Sequence, residues 1–135
     1  MIKILIVDDS LSWRNFHKNA LGEIFIEINC DDYIIDTASC AKEGYDLIMQ
    51  NNDIPYNLII SDLQMEEDFQ PKYAGEWFVE QIKTFKSYSS ANVIISSGCY
   101  NIKQTAENLS ADYIPKRIAV TDINAYKSKI ISYLK

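Results

Sequence analysis

The sequence is poor in the residues that build linkers and disulfide frameworks. Its 135 residues include only four glycines and three prolines, too few for a flexible linker or a disordered tract. The three cysteines, Cys30, Cys40 and Cys99, form an odd set without metal-ligand spacing, and the only histidine, His17, lies far from them in sequence. We therefore expect free thiols, and we assign no role to His17.

Basic residues are outnumbered, and long apolar runs are missing. Nineteen acidic residues against thirteen basic ones give a formal net charge of −6, which repels polyanions, so we expect no direct nucleic-acid binding. No apolar run approaches the length needed to cross a bilayer, and residues 1–7 enter a strand-like pattern without the layout of a secretory signal. These absences favour a cytoplasmic protein that does not act at a membrane.

The composition that remains is that of an ordinary globular domain. Hydrophobic residues make up 47% of the chain and charged residues 24%. The length suits one compact domain with a real core and leaves little for a second one. We expect a single domain over residues 1–135.

Five short apolar runs rich in β-branched residues predict strands. The first, third and fourth runs are nearly continuous in Ile, Leu and Val, so they are expected to be buried on both faces, as central strands of a parallel sheet are. The predicted strands are residues 2–7, 33–38, 58–61, 93–96 and 112–114.

Helical periodicity marks the segments between the strands, where apolar residues step by three and four positions along one face. Because a side-chain oxygen can accept from the free amides of a first helical turn, we expect Ser10 or Ser12 to cap the first helix and Thr121 or Asp122 to cap the last. The predicted helices lie near residues 13–24, 41–50, 75–85, 102–109 and 123–134.

Five strands alternating with five helices predict right-handed βαβ crossovers and an α/β fold with a doubly wound parallel sheet. Ligands of such sheets bind at the carboxyl ends of the strands, beside the point where the strand order reverses. We therefore look for chemistry at that edge of the sheet.

Polar residues gather at the carboxyl edge of the predicted sheet. Packing alone would place such residues on opposite faces or in separate turns, so their convergence indicates a functional site. They are Asp8 and Asp9 after the first strand, Asp62 after the third, Ser96 and Ser97 at the end of the fourth, and Lys116 after the fifth.

These residues lie in four segments that resemble, in order and spacing, the receiver (response-regulator) family of two-component signalling. Each segment alone is a weak signal, whereas four together are specific, and they span nearly the whole chain. The resemblance implies a flavodoxin-like five-stranded sheet with strand order 2-1-3-4-5 and no output domain. The segments are IKILIVDDS at residues 2–10, LIISDLQM at 58–65, VIISSG at 93–98 and ADYIPK at 111–116.

The resemblance implies that Asp62 accepts a phosphoryl group. It also implies that Asp8, Asp9 and Asp62, with the main-chain carbonyl of Gln64, hold Mg²⁺ or Mn²⁺. The chemistry agrees, because a carboxylate that attacks a phosphoryl group meets charge repulsion that a divalent cation neutralises. Mg²⁺ prefers carboxylates, waters and phosphate oxygens as ligands.

Three further residues match the phosphate-binding and switch positions of the family. Lys116 matches the lysine that pairs with the acceptor and then with its phosphoryl oxygens, and three strand-end carboxylates need a nearby cation to stay ionised together. Ser97 matches the switch hydroxyl, while Ser96 should point to the other side of the strand. Tyr113 matches the aromatic residue that turns inward when that hydroxyl moves.

The resemblance also implies partners. The phosphoryl donor would be a phosphohistidine of a sensor histidine kinase or a histidine phosphotransfer protein. The downstream target protein would bind the surface formed by the fourth helix, the fifth strand and the fifth helix.

Two features depart from the family pattern. Glu66 and Arg117 stand where family members usually have proline, and Pro115 precedes Lys116 instead. An insertion at residues 66–74 borders the site; its acidic residues could reach the metal or face solvent, and its aromatic residues could dock a partner or pack the loop down. The residues concerned are Glu66, Glu67, Asp68, Phe69 and Tyr73.

The leading hypothesis is a signalling switch that catalyses only its own phosphorylation and dephosphorylation. One alternative is a pseudo-receiver that binds partners without phosphorylation, which the changes at Pro115 and Arg117 favour. The others are enzymes or carriers. An aspartyl-nucleophile phosphatase should have its second Asp two residues after the first, whereas Asp8 and Asp9 are adjacent. A flavodoxin-like carrier needs a glycine-containing phosphate loop where this chain reads SLSW.

Overall fold

Five parallel strands form one sheet in the order β2-β1-β3-β4-β5. This order confirms the predicted flavodoxin-like α/β topology, and every pairing in the sheet is parallel. The strands are β1 (Ile2–Val7), β2 (Tyr33–Ala38), β3 (Leu58–Ser61), β4 (Asn92–Ser97) and β5 (Asp112–Pro115).

The computed structural model describes residues 1–65 and 74–134. The expectations about the acidic and aromatic side chains of the insertion therefore lie outside the described residues. The described chain stops at Met65, just before the insertion, and resumes at Ala74, its last residue, at the start of the next helix.

Six α-helices lie in the described residues, one more than the sequence predicts. The additional helix joins β5 to the last helix, in a segment for which the sequence predicts no helix. They are α1 (Leu11–Glu27), α2 (Ala41–Gln50), α3 (Ala74–Ile82), α4 (Ile102–Asn108), α5 (Lys116–Thr121) and α6 (Ile123–Leu134), with a 3₁₀ turn at Lys86–Tyr88.

Asp122 separates α5 from α6. Its backbone leaves the helical region at φ −139° and ψ 74°, and its carboxylate accepts from the Ala125 amide at 3.2 Å, which caps α6. With only six residues and one fully buried side chain, Ala119, α5 is too short to show a periodic apolar pattern. At the other end of the chain, Ser10 caps α1 by accepting from the Trp13 amide at 3.3 Å.

Apolar clusters cover both faces of the sheet. Ile4 and Ile6 point into a cluster under α1 and α6, while Leu5 and Val7 point into a cluster under α2 and α3, and all four are completely buried. This alternation confirms that β1 is buried on both faces. A smaller third cluster lies under α4 and consists of Leu63, Ile95, Ile102 and Ala106.

Cys30, Cys40 and Cys99 carry free thiols. Among the described residues, no helix combines the length and apolar character needed to cross a membrane.

Candidate functional site

Three carboxylates meet at the carboxyl edge of the sheet. Asp8 and Asp9 follow β1, and Asp62 follows β3, the neighbouring strand. One carboxylate oxygen from each residue lies within 4.8 Å of the other two. The fold thus brings together the acidic residues that the sequence singles out.

Lys116 is the cation of this cluster. Its Nζ lies 2.8 Å from Asp62 Oδ2 and 3.0 Å from Asp8 Oδ2, and its side chain is 15% exposed. Burial opposes the charged form, but the hydrogen bond and negative charge of Asp62, followed by the negative charge of Asp8, raise the pKa of Lys116 above its ordinary value. The ammonium is therefore charged at neutral pH.

The proline that precedes Lys116 is accommodated at the start of a helix. Pro115 is extended, at φ −60° and ψ 139°, and α5 begins with Lys116 itself. Arg117 therefore lies inside the first turn of α5, where the family's usual proline is replaced by an ordinary helical residue. With this local backbone, the Lys116 ammonium still contacts the acidic cluster.

Asp8 is almost completely buried, with 1% exposure. The Ser10 amide donates to its Oδ1 at 2.9 Å. Burial, and to a lesser degree the charge of Asp62, raises the pKa of Asp8. Its Oδ2 faces Lys116 and receives no well-aligned hydrogen bond from the described residues. A buried oxygen with spare acceptor capacity, beside two more carboxylates, suits a hard divalent cation.

The Asp62 carboxylate is held at both oxygens. Oδ1 accepts from the Leu63 amide at 2.7 Å, and Oδ2 accepts from Lys116. The first turn of α3 packs directly on this backbone: the Gly75 amide donates to the Leu63 carbonyl at 3.0 Å. A Cβ at Gly75 would lie only 2.1 Å from the Asp62 carbonyl oxygen.

Ser97 lies beside the cluster, at the end of β4. It is buried, its Oγ accepts from the Cys99 amide at 3.1 Å, and it lines the same cavity of about 340 Å³ as Lys116. Because Ile94 and Ile95 point into clusters on opposite faces, Ser96 and Ser97 also point to opposite sides. The Ser96 hydroxyl is buried without a hydrogen-bond partner in the described residues.

Two site residues predicted from the sequence, Tyr113 and Gln64, do not contact the three carboxylates through their side chains in the described residues. Tyr113 is partly buried against the cluster under α4 and does not line the cavity beside Ser97. Gln64, two residues after Asp62, is exposed. The roles given to Ser97, Tyr113 and Gln64 stay predictions.

Structural comparison places the fold among known proteins. The Mn²⁺-bound response regulator Rcp1 superposes with a TM-score of 0.71 at 17% identity over 99% of this chain and 94% of its own. The non-phosphorylated HemR receiver domain of Leptospira biflexa superposes with a TM-score of 0.71 at 18% identity, covering 98% of this chain and 95% of its own. The BeF₃-activated DrrB receiver domain superposes with a TM-score of 0.67 at 15% identity, covering 99% of this chain and 97% of its own. The chain has the receiver-domain fold. No family model and no curated protein matches it by sequence.

Two α1 residues of this receiver fold support the site but are not singled out by the sequence. The Lys116 ammonium lies 5.0 Å from the centre of the Trp13 ring, and the Arg14 guanidinium donates to the Asp8 carbonyl at 2.7 Å. The helical periodicity places Trp13 only on an apolar face. Its position one turn after the acidic pair is the signal that would have indicated contact with the site.

His17 lies deeper in the receiver core, behind Trp13. It is 1% exposed, and its Nδ1 shares a hydrogen bond of 2.5 Å with the Tyr126 hydroxyl on α6. Burial, with a smaller contribution from the charge of Lys116, lowers the pKa of His17 to about 3. The imidazole is therefore neutral, and its hydrogen bond to Tyr126 joins α1 to α6.

Proposed function

We propose that this protein is a phosphorylation-dependent switch of a two-component or phosphorelay system. In this proposal Asp62 accepts the phosphoryl group from a phosphohistidine of a sensor histidine kinase or a histidine phosphotransfer protein. The observation that carries the proposal is the position of Lys116, whose single ammonium bridges Asp62 and Asp8 at 2.8 and 3.0 Å.

This bridging contact has a chemical purpose that packing does not explain. Burying Asp8 and Asp62 beside one lysine, with Asp9 close by, costs free energy, because like charges at short range and low solvation are unfavourable. Phosphoryl transfer needs such an arrangement, since its transition state is stabilised by positioning and by positive charge at the transferred group. An acidic cluster that costs stability and holds an ammonium in contact with the acceptor is therefore better explained by phosphoryl chemistry than by a structural role.

In the transfer step, a carboxylate oxygen of Asp62 attacks the phosphorus of the phosphohistidine. The new O–P bond forms as the N–P bond breaks, and the bonding electron pair leaves with the imidazole nitrogen. Lys116, already at the Asp62 carboxylate, can follow the phosphoryl oxygens without a long movement. The Leu63 amide holds the other carboxylate oxygen in place.

The residues that would hold the divalent cation are Asp8, Asp9 and Asp62 with the main-chain carbonyl of Gln64. The buried Oδ2 of Asp8, which contacts only the Lys116 ammonium among the described residues, and the three converging carboxylates fit a hard cation such as Mg²⁺ or Mn²⁺. When bound, the cation neutralises negative charge on the phosphoryl group. The Mn²⁺-bound state of the structural neighbour Rcp1 supports this assignment.

The response to phosphorylation is assigned to Ser97 and Tyr113. Ser97 shares a cavity with Lys116 and can reorient its hydroxyl toward a phosphoryl oxygen there. In the proposal, Tyr113 follows this movement and alters the surface of α4, β5 and α6, where a downstream protein binds in the cytoplasm. The last predicted helix corresponds to α6.

The test is to incubate the protein with Mg²⁺ and acetyl phosphate and to measure intact mass. We expect one added phosphoryl group that is lost on exposure to alkali or hydroxylamine, as an acyl phosphate is. Asp62→Asn should gain none, whereas Asp53→Asn, at an exposed aspartate, should behave as wild type. A wild-type protein that gains no phosphoryl group with or without its kinase would refute the proposal and favour a pseudo-receiver.

A further inference from the structure

Tyr113 is held by a residue of α6 that none of the sequence motifs includes. The Lys129 ammonium lies 5.2 Å from the centre of the Tyr113 ring and donates to the Tyr113 carbonyl at 3.1 Å. It also donates to Asp112 Oδ1 at 2.8 Å. Lys129 therefore contacts both the ring and the backbone of Tyr113.

Neighbouring groups fix the position of the Lys129 ammonium. Burial alone would raise the pKa of Asp112, but hydrogen bonds from Lys129 and Tyr133 outweigh it and lower the pKa. The Tyr133 hydroxyl donates to the second Asp112 oxygen at 2.5 Å, and this bond, with burial, raises the pKa of Tyr133 to about 12. At neutral pH, Asp112 is ionised and held from two sides, so it anchors the ammonium beside Tyr113.

A cavity lies next to the cluster against which Tyr113 packs. The cavity of about 340 Å³ beside Ser97 and Lys116 is partly lined by Ile102. Ile102 also belongs to the cluster against which Tyr113 packs. Tyr113 and this cavity thus share Ile102 as a neighbour. Lys129 does not line the cavity, so a ring that moved into it would leave the Lys129 ammonium.

We propose that Lys129 acts as a latch that keeps Tyr113 in its unresponsive position. This inference rests on the proposed function, because it assumes that the phosphorylated site favours movement of Tyr113. The attraction between an ammonium and an aromatic face is modest when the pair is partly exposed, and Lys129 is 35% exposed. Such a contact can bias a conformational equilibrium without blocking it.

The test uses beryllofluoride with Mg²⁺ as a probe that mimics the phosphoryl group. A ligand that favours a minor conformation binds more tightly when that conformation costs less to reach. Lys129→Met removes the charge and keeps an unbranched stem. We expect it to lower the dissociation constant of beryllofluoride, measured by titration calorimetry, about two- to five-fold, which corresponds to the strength of an exposed cation–π contact.

Three control variants separate the latch from a general effect of charge or packing. Lys129→Arg keeps a cation over the ring and should bind as wild type does. Lys127→Met removes a charge from the same helix, where Lys127 pairs with Glu23 at 2.9 Å, and should also leave binding unchanged. In a Tyr113→Leu background, Lys129→Met should have no further effect, because the ring on which it acts is gone.

The outcomes distinguish the latch from the proposed function. If wild type binds beryllofluoride and Lys129→Met binds it with equal or lower affinity, the latch is overturned and the switch stands. The same holds if the effect of Lys129→Met persists without the Tyr113 ring. If wild type binds no beryllofluoride in the presence of Mg²⁺, both the proposed function and the latch are overturned.

Discussion

His17 illustrates how one buried polar side chain can make stability depend on pH. Its neutral imidazole is enclosed by aromatic rings, with ring centres 5.6 Å away at Phe16 and 5.9 Å away at Trp13. The Lys116 charge adds to the cost of protonation. The folded protein must therefore exclude a proton that the unfolded chain accepts readily.

The first prediction is a loss of stability in mild acid. The pKa of His17 is about 3 in the folded state and 6.5 as the ordinary value. The neutral His17 therefore contributes fully to the free energy of unfolding above pH 6.5, and this contribution is lost as the pH falls toward 3. Between pH 7 and pH 5 the free energy of unfolding should fall by about 2 kcal/mol from this group alone. Urea unfolding at the two pH values measures it.

A double variant provides the control for this pH dependence. His17→Leu combined with Tyr126→Phe replaces both hydrogen-bond partners by apolar groups, which can be nearly neutral for stability. In the double variant the free energy of unfolding should fall much less between pH 7 and pH 5 than in wild type, whereas in Tyr126→Phe alone it should fall as much as in wild type. An unchanged fall in the double variant would show that other groups cause the acid sensitivity.

At the scale of elements, the start of α3 and the end of β3 act as one unit. Gly75 lets the helix approach so closely that a Cβ would lie 2.6 Å from Leu63 Cα, in addition to its clash with the Asp62 carbonyl. The atoms that this Cβ would meet belong to the backbone of Asp62 and Leu63, so no flexible side chain can move to relieve the clash. The position of Asp62 therefore depends on a missing side chain in the following helix.

The second prediction compares two glycine-to-alanine substitutions. Gly75→Ala should reduce the rate of phosphorylation by acetyl phosphate and lower the free energy of unfolding by about 1–3 kcal/mol, the usual cost of overpacking. Gly22→Ala, inside α1 with no atom within 4 Å of the added Cβ, should raise the free energy of unfolding by about 0.5–1 kcal/mol and leave the rate unchanged. Equal effects of the two variants would contradict the role given to Gly75.

The strands were the elements most accessible to prediction. Continuous Ile, Leu and Val runs indicate strands buried on both faces, and β1, β2 and β3 begin and end where the apolar runs do. The helix α5 was missed because six residues cannot show a 3.6-residue period. The choice between Ser10 and Ser12, and between Thr121 and Asp122, depends on backbone geometry that residue type alone does not determine.

For the molecule as a whole, the acidic site adds to an already negative charge. The formal net charge is −6, and three of the carboxylates are held within 4.8 Å of one another. Lys116 is paired with Asp8 and Asp62, while Asp9 makes no ion pair with the described residues. Without a bound cation, the charge of Asp9 is repelled by Asp8 and Asp62 in the folded state, and few interactions of Asp9 offset this repulsion.

The third prediction follows from this charge balance. In EDTA, Asp9→Asn should raise the free energy of unfolding by about 1 kcal/mol, the size of a weakly screened repulsion at this distance. Added Mg²⁺ should stabilise wild type, because a ligand that binds only the folded state adds to its stability. The same addition should stabilise Asp9→Asn much less. Thermal unfolding with and without Mg²⁺ measures both effects.

Asp53→Asn serves as the matched charge control, since Asp53 is exposed and lies outside the cluster. It should change neither the stability in EDTA nor the gain with Mg²⁺. If Asp9→Asn gains as much from Mg²⁺ as wild type does, Asp9 is not a ligand and the assignment of the metal site is wrong.

The sequence located the polar edge of the sheet but not the groups around it. Asp8, Asp62 and Lys116 directly follow or border strands, and parallel strands place their carboxyl ends together, so topology alone predicts their convergence. The contacts of Lys129 with Tyr113 and of Trp13 with Lys116 join helices to strand ends. They depend on how each helix rotates and packs, which no local pattern encodes.

The indole of Trp13 under the Lys116 ammonium gives the protein a built-in optical reporter. An ammonium 5.0 Å from an indole ring perturbs its excited state, so any displacement of Lys116 at the site should alter the emission of Trp13. The sequence has only one other tryptophan, Trp77, which packs at the opposite face beside Tyr45. In a Trp77→Phe background, the occupancy of the site can thus be followed by fluorescence without attaching a dye.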